Sequence, residues 1–244
     1  MLSNKEKIER DILRIVRDAK KPIGCGIIST LLQAEGYSVS EATVGRVLRD
    51  LDNMDYTEKA GYQGRTLSCT GEKRLIELCK EERRLQWGVE FAEALQGHTK
   101  EQLLEVLVAR RAIESELAAL AAQNATSEQC SILQQILQCQ RTTTDFGGTT
   151  AQEDIEFHAA IAQMSGNAVL KAAIALIRQD TQLSPVLEYI RKRVHSVVFI
   201  DHQKIYQSIN DRNSPAAREA MIQHINNLIH DVESYWENTL SDET

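Results

Sequence analysis

Apolar residues along this chain recur at the three- and four-residue spacing of amphipathic helices. In residues 5–20 they place Ile8, Ile12 and Ile15 on one face, and Pro22 ends the helix. Similar spacing returns through most of the chain, whereas strand-like runs are short. Only three prolines and twelve glycines interrupt the 244 residues. The pattern therefore predicts a mainly α protein.

Two segments near the N-terminus predict a helix-turn-helix. Residues 26–36 predict a short helix, and its expected inward positions are Ile27, Ile28, Leu31 and Leu32. After a turn, Ser40 can cap a second helix, whose expected inward positions are Val44, Val47, Leu48 and Leu51. The exposed face of its N-terminal half carries groups that can meet phosphates and base edges in a major groove. These predicted DNA-binding residues are Ser40, Thr43, Arg46 and Arg49.

A predicted hairpin follows the second helix. Residues 56–70 contain two β-prone arms around Gly61 and Gly64, and we predict that Gln63 and Arg65 at its tip also contact DNA. Residues 5–71 resemble a winged helix, similar to the domain at the front of ribonuclease R and of archaeal nitrogen-regulation repressors. The helix-turn-helix layout with these exposed side chains favours double-stranded DNA as the partner. Winged helices also bind RNA or dock on proteins, so this alternative stays open.

The patterning divides the chain into three parts. Residues 1–73 predict the winged helix-turn-helix, residues 74–98 a charged linker helix with Gly97 at its boundary, and residues 99–240 an all-α helical bundle. Residues 1–75 hold 13 Lys+Arg against 11 Asp+Glu, and the remaining residues hold 15 against 24. The basic excess at the front is small, so charge supports nucleic-acid binding only together with the motif.

The first long helix of the bundle carries one charged pair in an apolar seam. The seam runs through Leu103, Leu107, Arg110, Glu114, Leu117 and Ala121. Two interpretations of the charged pair remain open at this point. The side chains of Arg110 and Glu114 can form an ion pair within the helix, or Arg110 can point into a cavity and bind an anion.

Four residues in the second half of the chain predict a metal site. Asp154 and His158 lie one helical turn apart on a predicted helix. Residues 193–210 and 215–240 predict a helical hairpin, and His202 and His224 are equidistant from its loop, so they should lie at the same height. If the helix of Asp154 and His158 packs on the same side, one carboxylate and three imidazoles meet, and this set suits a divalent transition metal: zinc first, with nickel, manganese or iron as alternatives. His195 could replace His202 in this set. Asp154 and His158 can instead form an ion pair with each other.

Residues 100–235 resemble the effector-binding FCD domain of the FadR subfamily of GntR-type transcription regulators. The resemblance rests on "LLEVLVARRAIESELAALAA", "EDIEFHAAIAQMSGNAVL" and "HQKIYQSINDRNSPAAREAMIQHI". It implies an all-α bundle that binds metal through the four residues above and a small carboxylate effector that completes the coordination. It further implies effector contacts from Arg110 and Asn167, a homodimer, and operator binding controlled by the effector. The front of the chain lacks the usual GntR segment before the recognition helix, so operator spacing cannot be inferred from the family.

The predicted function is therefore a DNA-binding transcription regulator and not an enzyme. A metal-dependent hydrolase-like enzyme is one alternative, since an open metal site can activate water, but no catalytic residue is identified. A winged-helix RNA-binding protein is the other. No signal peptide or membrane span is visible, which predicts a cytoplasmic protein without a membrane partner.

Overall fold

The computed structural model describes residues 2–95, 99–178, 183–194, 196 and 198–241. These residues form two compact units, Met1–Ala92 and Glu93–Thr244. The predicted boundary residue Gly97 and the alternative ligand His195 lie outside the described residues. None of the helices in the described ranges has the length and apolar character needed to span a membrane.

The first unit has the helix and strand order of a winged helix. Its elements are α1 (Asn4–Ala19), α2 (Cys25–Ala34), α3 (Glu41–Asn53), β1 (Thr57–Lys59), β2 (Arg65–Leu67) and α4 (Cys69–Leu95). Strands β1 and β2 pair antiparallel, with Thr57 opposite Leu67 and Lys59 opposite Arg65. Ser40 caps α3 as predicted, because its hydroxyl accepts a hydrogen bond from the Thr43 amide.

The core of the first unit corrects two predictions about α2. Ile28 and Leu32 are fully buried, whereas Ile27 is 59% exposed and Leu31 is 43% exposed. Helix α2 is only ten residues long and packs through one narrow stripe, so the adjacent apolar positions remain in solvent. The predicted inward orientation of Ile27 and Leu31 is therefore wrong.

Helix α4 is one continuous helix that starts directly after the wing. Leu75 and Leu78 are buried in the core of the first unit, so the start of the predicted linker is part of that unit. Gly71 allows this packing, since a Cβ atom there would overlap the carbonyl of Tyr56.

The second unit is an all-α bundle. Its helices are α5 (Lys100–Asn124), α6 (Ser127–Asp145), α7 (Ala151–Met164), α8 (Ala168–Ile177), α9 (Leu183–Arg193), α10 (Val198–Asn210) and α11 (Ser214–Ser241). Thr99 and Thr126 begin α5 and α6 with capping boxes. The mainly α fold predicted from periodicity is confirmed, and α7, α10 and α11 bring the predicted metal ligands to one region of the core.

Candidate functional site

The four predicted metal ligands meet inside the second unit. Asp154 and His158 extend from α7, His202 from α10 and His224 from α11, and each offers a donor atom within 4.8 Å of the others. The rings of His202 and His224 have centroids 4.8 Å apart, which matches the equal heights predicted from the hairpin. All three imidazoles are buried.

The distances suit a single divalent ion. Asp154 Oδ1 lies 3.6 Å from Nε2 of His158 and 3.6 Å from Nε2 of His202. Two donors that each lie about 2.1 Å from one ion are roughly 3.4 Å apart at a tetrahedral angle. Small side-chain shifts would therefore bring these atoms to coordination distance.

Each imidazole has an acceptor facing its Nδ1 atom. Glu114 contacts Nδ1 of His158, and His202 Nδ1 donates to Gln140 Oε1 at 2.9 Å. Asp201 Oδ2 lies 3.7 Å from Nδ1 of His224. The Nε2 atoms of the three rings are buried and have no hydrogen-bond partner among the described residues. The close Nδ1 contacts of His158 and His202 favour the Nδ1–H tautomer of these two rings and leave their Nε2 lone pairs for a metal.

The ionisation states also fit metal binding. Burial lowers the pKa of His202 well below its ordinary value and that of His224 to about 4, so both rings are neutral at pH 7. Burial alone would raise the pKa of Asp154, but the nearby Arg178 and His158 outweigh it and hold this pKa well below the ordinary value. Arg178 Nη2 donates to Asp154 Oδ2 at 2.7 Å, which leaves Oδ1 directed at the imidazoles.

A cavity of about 170 Å³ adjoins Asp154 and contains two arginines in its wall. Arg110 and Arg191 both line it beside Asp154. Arg110 is 1% exposed, and its Nη2 atom has no hydrogen-bond partner in the described part of the chain, as is true of Arg191 Nε. Such N–H groups can bind an anionic ligand.

The contacts of Arg110 are compatible with both interpretations of the charged seam. Its Nε donates to Glu114 Oε1 at 2.7 Å, as expected of an ion pair within the helix. Its Nη2 remains available toward the cavity that Arg110 lines. The geometry therefore supports the prediction that Arg110 binds an anion while Glu114 holds the guanidinium in place.

The structure gives Asn167 a different role from the predicted effector contact. Its Oδ1 accepts hydrogen bonds from the amides of Val169 and Leu170, both at 3.1 Å, and so caps α8. Asn167 is not among the residues that line the cavity. The segment "SGN", residues 165–167, forms the turn between α7 and α8.

Sequence reasoning did not identify Gln140, Arg178 and Arg191. Each is a single polar residue on an element separate from the others, and no spacing rule links them to the histidines. The only available signal was a polar side chain on the inward face of an amphipathic helix. Gln140 gives this signal, because it follows Leu133 and Leu137 at helical spacing on the buried face of α6.

The predicted DNA-binding residues occupy the first unit. Arg46 and Arg49 are exposed on α3 and form no ion pair within the described residues. The hydroxyls of Ser40 and Thr43 lie 2.9 Å apart at the start of the same helix. Gln63 is exposed in the 3-10 turn Gly61–Gln63 between the strands.

Arg65 departs from its predicted position at the wing tip. It is the first residue of β2, and its guanidinium donates to both carboxylate oxygens of Asp52 at 2.9 to 3.0 Å. Its side chain is 15% exposed. In this structure Arg65 anchors the wing to α3, so the geometry does not support a contact with DNA.

Comparisons with known proteins match the two units separately. The FCD domain family matches residues 105–227, and the Ribonuclease R winged-helix domain matches residues 10–75. The nitrogen regulator NrpRI of Methanosarcina mazei is 40% identical over 72 residues, which cover 28% of this chain and 22% of that protein. The repressor NanR of Klebsiella aerogenes is 31% identical over 117 residues, covering 47% of this chain and 45% of that protein. The chain thus spans less than half the length of either relative.

Two longer similarities cover most of the chain. The transcriptional regulator LutR of Bacillus subtilis is 23% identical over 228 residues, covering 91% of this chain and 98% of that protein. A solved GntR-family regulator from Pseudomonas syringae pv. tomato matches at full length of both chains, with a TM-score of 0.50 and 13% identity, and so indicates the fold alone. Because the FCD family matches more than half of the residues, the chain belongs to the FCD-domain family of GntR-type transcription regulators, with a winged helix similar to that of ribonuclease R.

Proposed function

We propose that this regulator binds a double-stranded DNA operator with an affinity that a small carboxylate effector controls. The effector would bind at a divalent metal ion held by Asp154, His158, His202 and His224. One observation carries this proposal: three buried imidazoles, whose Nε2 atoms have no hydrogen-bond partner among the described residues, converge with Asp154 beside a cavity lined by a guanidinium with an unpartnered N–H. Burying so many polar atoms without partners is costly unless a ligand satisfies them.

The residues of the site have distinct roles in this proposal. A divalent ion bound there would supply open coordination positions for carboxylate oxygens. Arg110 would donate from Nη2 to the effector carboxylate, and Arg191 would add a second cationic group on the cavity wall. The surrounding apolar core would exclude water and so strengthen these contacts.

The DNA contacts would come from α3, through Ser40, Thr43, Arg46 and Arg49, with Gln63 added from the wing. The regulator would act in the cytoplasm as a homodimer, which light scattering of the purified chain can test. Effector binding can change operator affinity only if the effector binds the two DNA-binding states of the regulator with different affinity. Helix α4 provides the covalent connection between the two units.

The test combines elemental analysis of the purified protein with mass spectrometry of any co-purifying small molecule. We expect about one divalent transition metal ion per chain, together with a carboxylate. The variants His158→Ala and His224→Ala should lose the metal. His230→Ala is the matched control, because His230 is exposed on the same helix as His224. Full metal content in both ligand variants would refute the site.

A second experiment tests the operator. Binding of the chain to genomic DNA fragments, with duplex RNA as competitor, should favour DNA. The co-purified carboxylate should then shift the affinity for the selected fragment in the wild type but not in Arg110→Gln. Preference for RNA would instead support the winged-helix RNA-binding alternative.

A further inference from the structure

Glu114 lies between the two halves of the proposed ligand site. Its side chain is 3% exposed, and each of its carboxylate oxygens faces a different group. Oε1 accepts from Arg110 Nε at 2.7 Å, and Oε2 contacts His158 Nδ1. Arg178 Nη1 lies 3.5 Å from the same Oε1 atom. Glu114 therefore joins an arginine of the cavity wall to one of the metal ligands.

The atoms of Arg110 and His158 that do not contact Glu114 would each bind a different ligand. Arg110 has an unpartnered Nη2 atom and lines the cavity, where an anion would bind. His158 Nε2 lies 3.6 Å from Asp154 Oδ1, where a metal would bind. The other two Nδ1 acceptors contact different groups: Gln140 contacts His202, and Asp201 accepts from Asn227 at 2.8 Å beside His224.

We propose that Glu114 is a positioning residue that makes metal binding and carboxylate binding cooperative. This inference rests on the proposed function, because it takes the metal and the carboxylate as the two ligands. Glu114 keeps the proton on Nδ1 of His158, so the lone pair of Nε2 points at the metal position. The same carboxylate holds Arg110 through Nε, while Nη2 of this cavity-lining guanidinium has no hydrogen-bond partner among the described residues.

The cooperativity follows from this shared contact. Without ligands, Arg110 Nη2 and His158 Nε2 have no hydrogen-bond partner among the described residues, and the contacts with Glu114 link the two side chains. A metal bound at Nε2 fixes His158 and, through Glu114, favours the orientation of Arg110 that an anion requires. A carboxylate bound at Arg110 has the same effect on His158, since linkage is reciprocal. Each ligand should therefore raise the affinity for the other.

The test compares Glu114→Gln with a control on the same helix. Glutamine has the same shape as glutamate but no charge. Glu116→Gln is the control, because Glu116 is half-exposed on α5 and pairs with Arg218 at 2.6 Å. The Zn²⁺ affinity of the full chain is measured by competition with a chelator, alone and with saturating acetate or succinate as the carboxylate probe.

We expect Glu114→Gln to lower the affinity for Zn²⁺ alone by about 10- to 100-fold, and Glu116→Gln to leave it unchanged. In the wild type and in Glu116→Gln, the carboxylate should raise the Zn²⁺ affinity about 5-fold or more, and this increase should disappear in Glu114→Gln. Nitrogen-detected NMR should show the Nδ1–H tautomer of His158 in the wild type and a weakened Nδ1–H hydrogen bond in Glu114→Gln.

The outcomes separate this inference from the proposed function. If His158→Ala binds Zn²⁺ with the same affinity as the wild type, the proposed metal site itself fails. If Zn²⁺ and the carboxylate bind cooperatively but Glu114→Gln behaves like Glu116→Gln, only the inference fails. If Zn²⁺ affinity falls while cooperativity stays, Glu114 orients His158 but does not couple the ligands. If Glu114→Gln does not fold, Glu114→Asp replaces it in the test. Aspartate keeps the charge, but its shorter side chain moves the carboxylate away from Arg110 and His158, so the cooperativity should fall.

Discussion

Asp52 provides the strongest test of how the wing is held in place. Its side chain is 13% exposed and accepts hydrogen bonds from Thr57 Oγ1 at 2.7 Å and from two nitrogens of Arg65. Asp52→Ala would leave the guanidinium of Arg65 and the hydroxyl of Thr57 without this partner. Hydrogen bonds to charged groups contribute about 1.5–3 kcal/mol each, and partial exposure reduces that value.

We therefore expect Asp52→Ala to lower the free energy of unfolding of the first unit by about 2–3 kcal/mol. For a unit of about 90 residues, such a loss lowers the melting temperature by at least about 8 °C. Calorimetry of the full chain, with hydrogen exchange followed on peptides from residues 41–67, measures the change and assigns it to the wing. Asp50→Ala is the matched control, because Asp50 is exposed on the same helix.

The pH dependence provides a second readout for Asp52. Burial raises its pKa, but the hydrogen bonds from Arg65 and Thr57 outweigh burial and lower this pKa below the ordinary value. Because the folded pKa lies below the unfolded one, the stabilisation is complete above about pH 4 and is lost as the pH falls through the folded pKa. Asp52→Asn should reduce this acid sensitivity.

Two results would refute the reasoning about Asp52. One is a change in unfolding free energy as small as that of Asp50→Ala. The other concerns DNA: if Arg65→Ala weakens operator binding and Asp52→Ala does not, Arg65 contacts DNA instead of anchoring the wing. If Arg65 is an anchor, both variants should weaken binding to a similar degree, because both release the wing.

Other positions give predictions with internal controls. Arg46→Ala should weaken operator binding and reduce the salt dependence of the affinity by about one phosphate contact. Arg83 is exposed on α4, and Arg83→Ala should change neither quantity. Anisotropy titrations at two salt concentrations test both variants. Gly64 has φ 121°, and a Cβ atom there would overlap the carbonyl of Ile23. Gly64→Ala should destabilise the first unit by about 3 kcal/mol, against about 1 kcal/mol for Gly61→Ala, where the space is open; urea unfolding distinguishes the two.

In the first unit, the positions of the helices were predictable from sequence, but the buried face of α2 was not. Periodicity located α1, α2 and α3, and the cap at Ser40 followed from local hydrogen bonding. The orientation of Ile27 and Leu31 did not, because adjacent apolar residues on a short helix can face either the core or solvent. Arg65 was misplaced for a related reason: its partner Asp52 is distant in sequence, and no local pattern indicates that contact.

Because helix geometry is regular, it predicted how the candidate metal ligands lie within each of two pairs, but not that the two pairs meet. The one-turn spacing of Asp154 and His158, and the equal distances of His202 and His224 from a loop, convert directly into positions in space. Gln140 and Arg191 could not be found in this way, since each comes from a separate helix whose packing depends on the whole bundle. The polar groups around the ligands are therefore a result of tertiary structure and not of sequence spacing.

The buried polar groups of the second unit suggest that it is adapted for ligand binding at a cost in stability. His224 is fully buried, neither ring nitrogen has a hydrogen-bond partner among the described residues, and burial lowers its pKa to about 4. Leucine has a similar volume and needs no partner. In the presence of a chelator, His224→Leu should therefore be as stable as the wild type or more stable.

Bound metal should make the wild type more stable than His224→Leu, which reverses the order expected with chelator. A metal ion at 1,000 times its dissociation constant stabilises the folded state by about 4 kcal/mol, and His224→Leu should gain much less because one ligand is missing. Thermal unfolding of both proteins with Zn²⁺ and with chelator measures the four values. A wild type that is clearly more stable than His224→Leu without metal would show that His224 stabilises the fold by itself. The expected crossing of the two orders would instead show that His224 is kept for the ligand, because a neutral ring without hydrogen-bond partners in a core gains stability only when a ligand binds it.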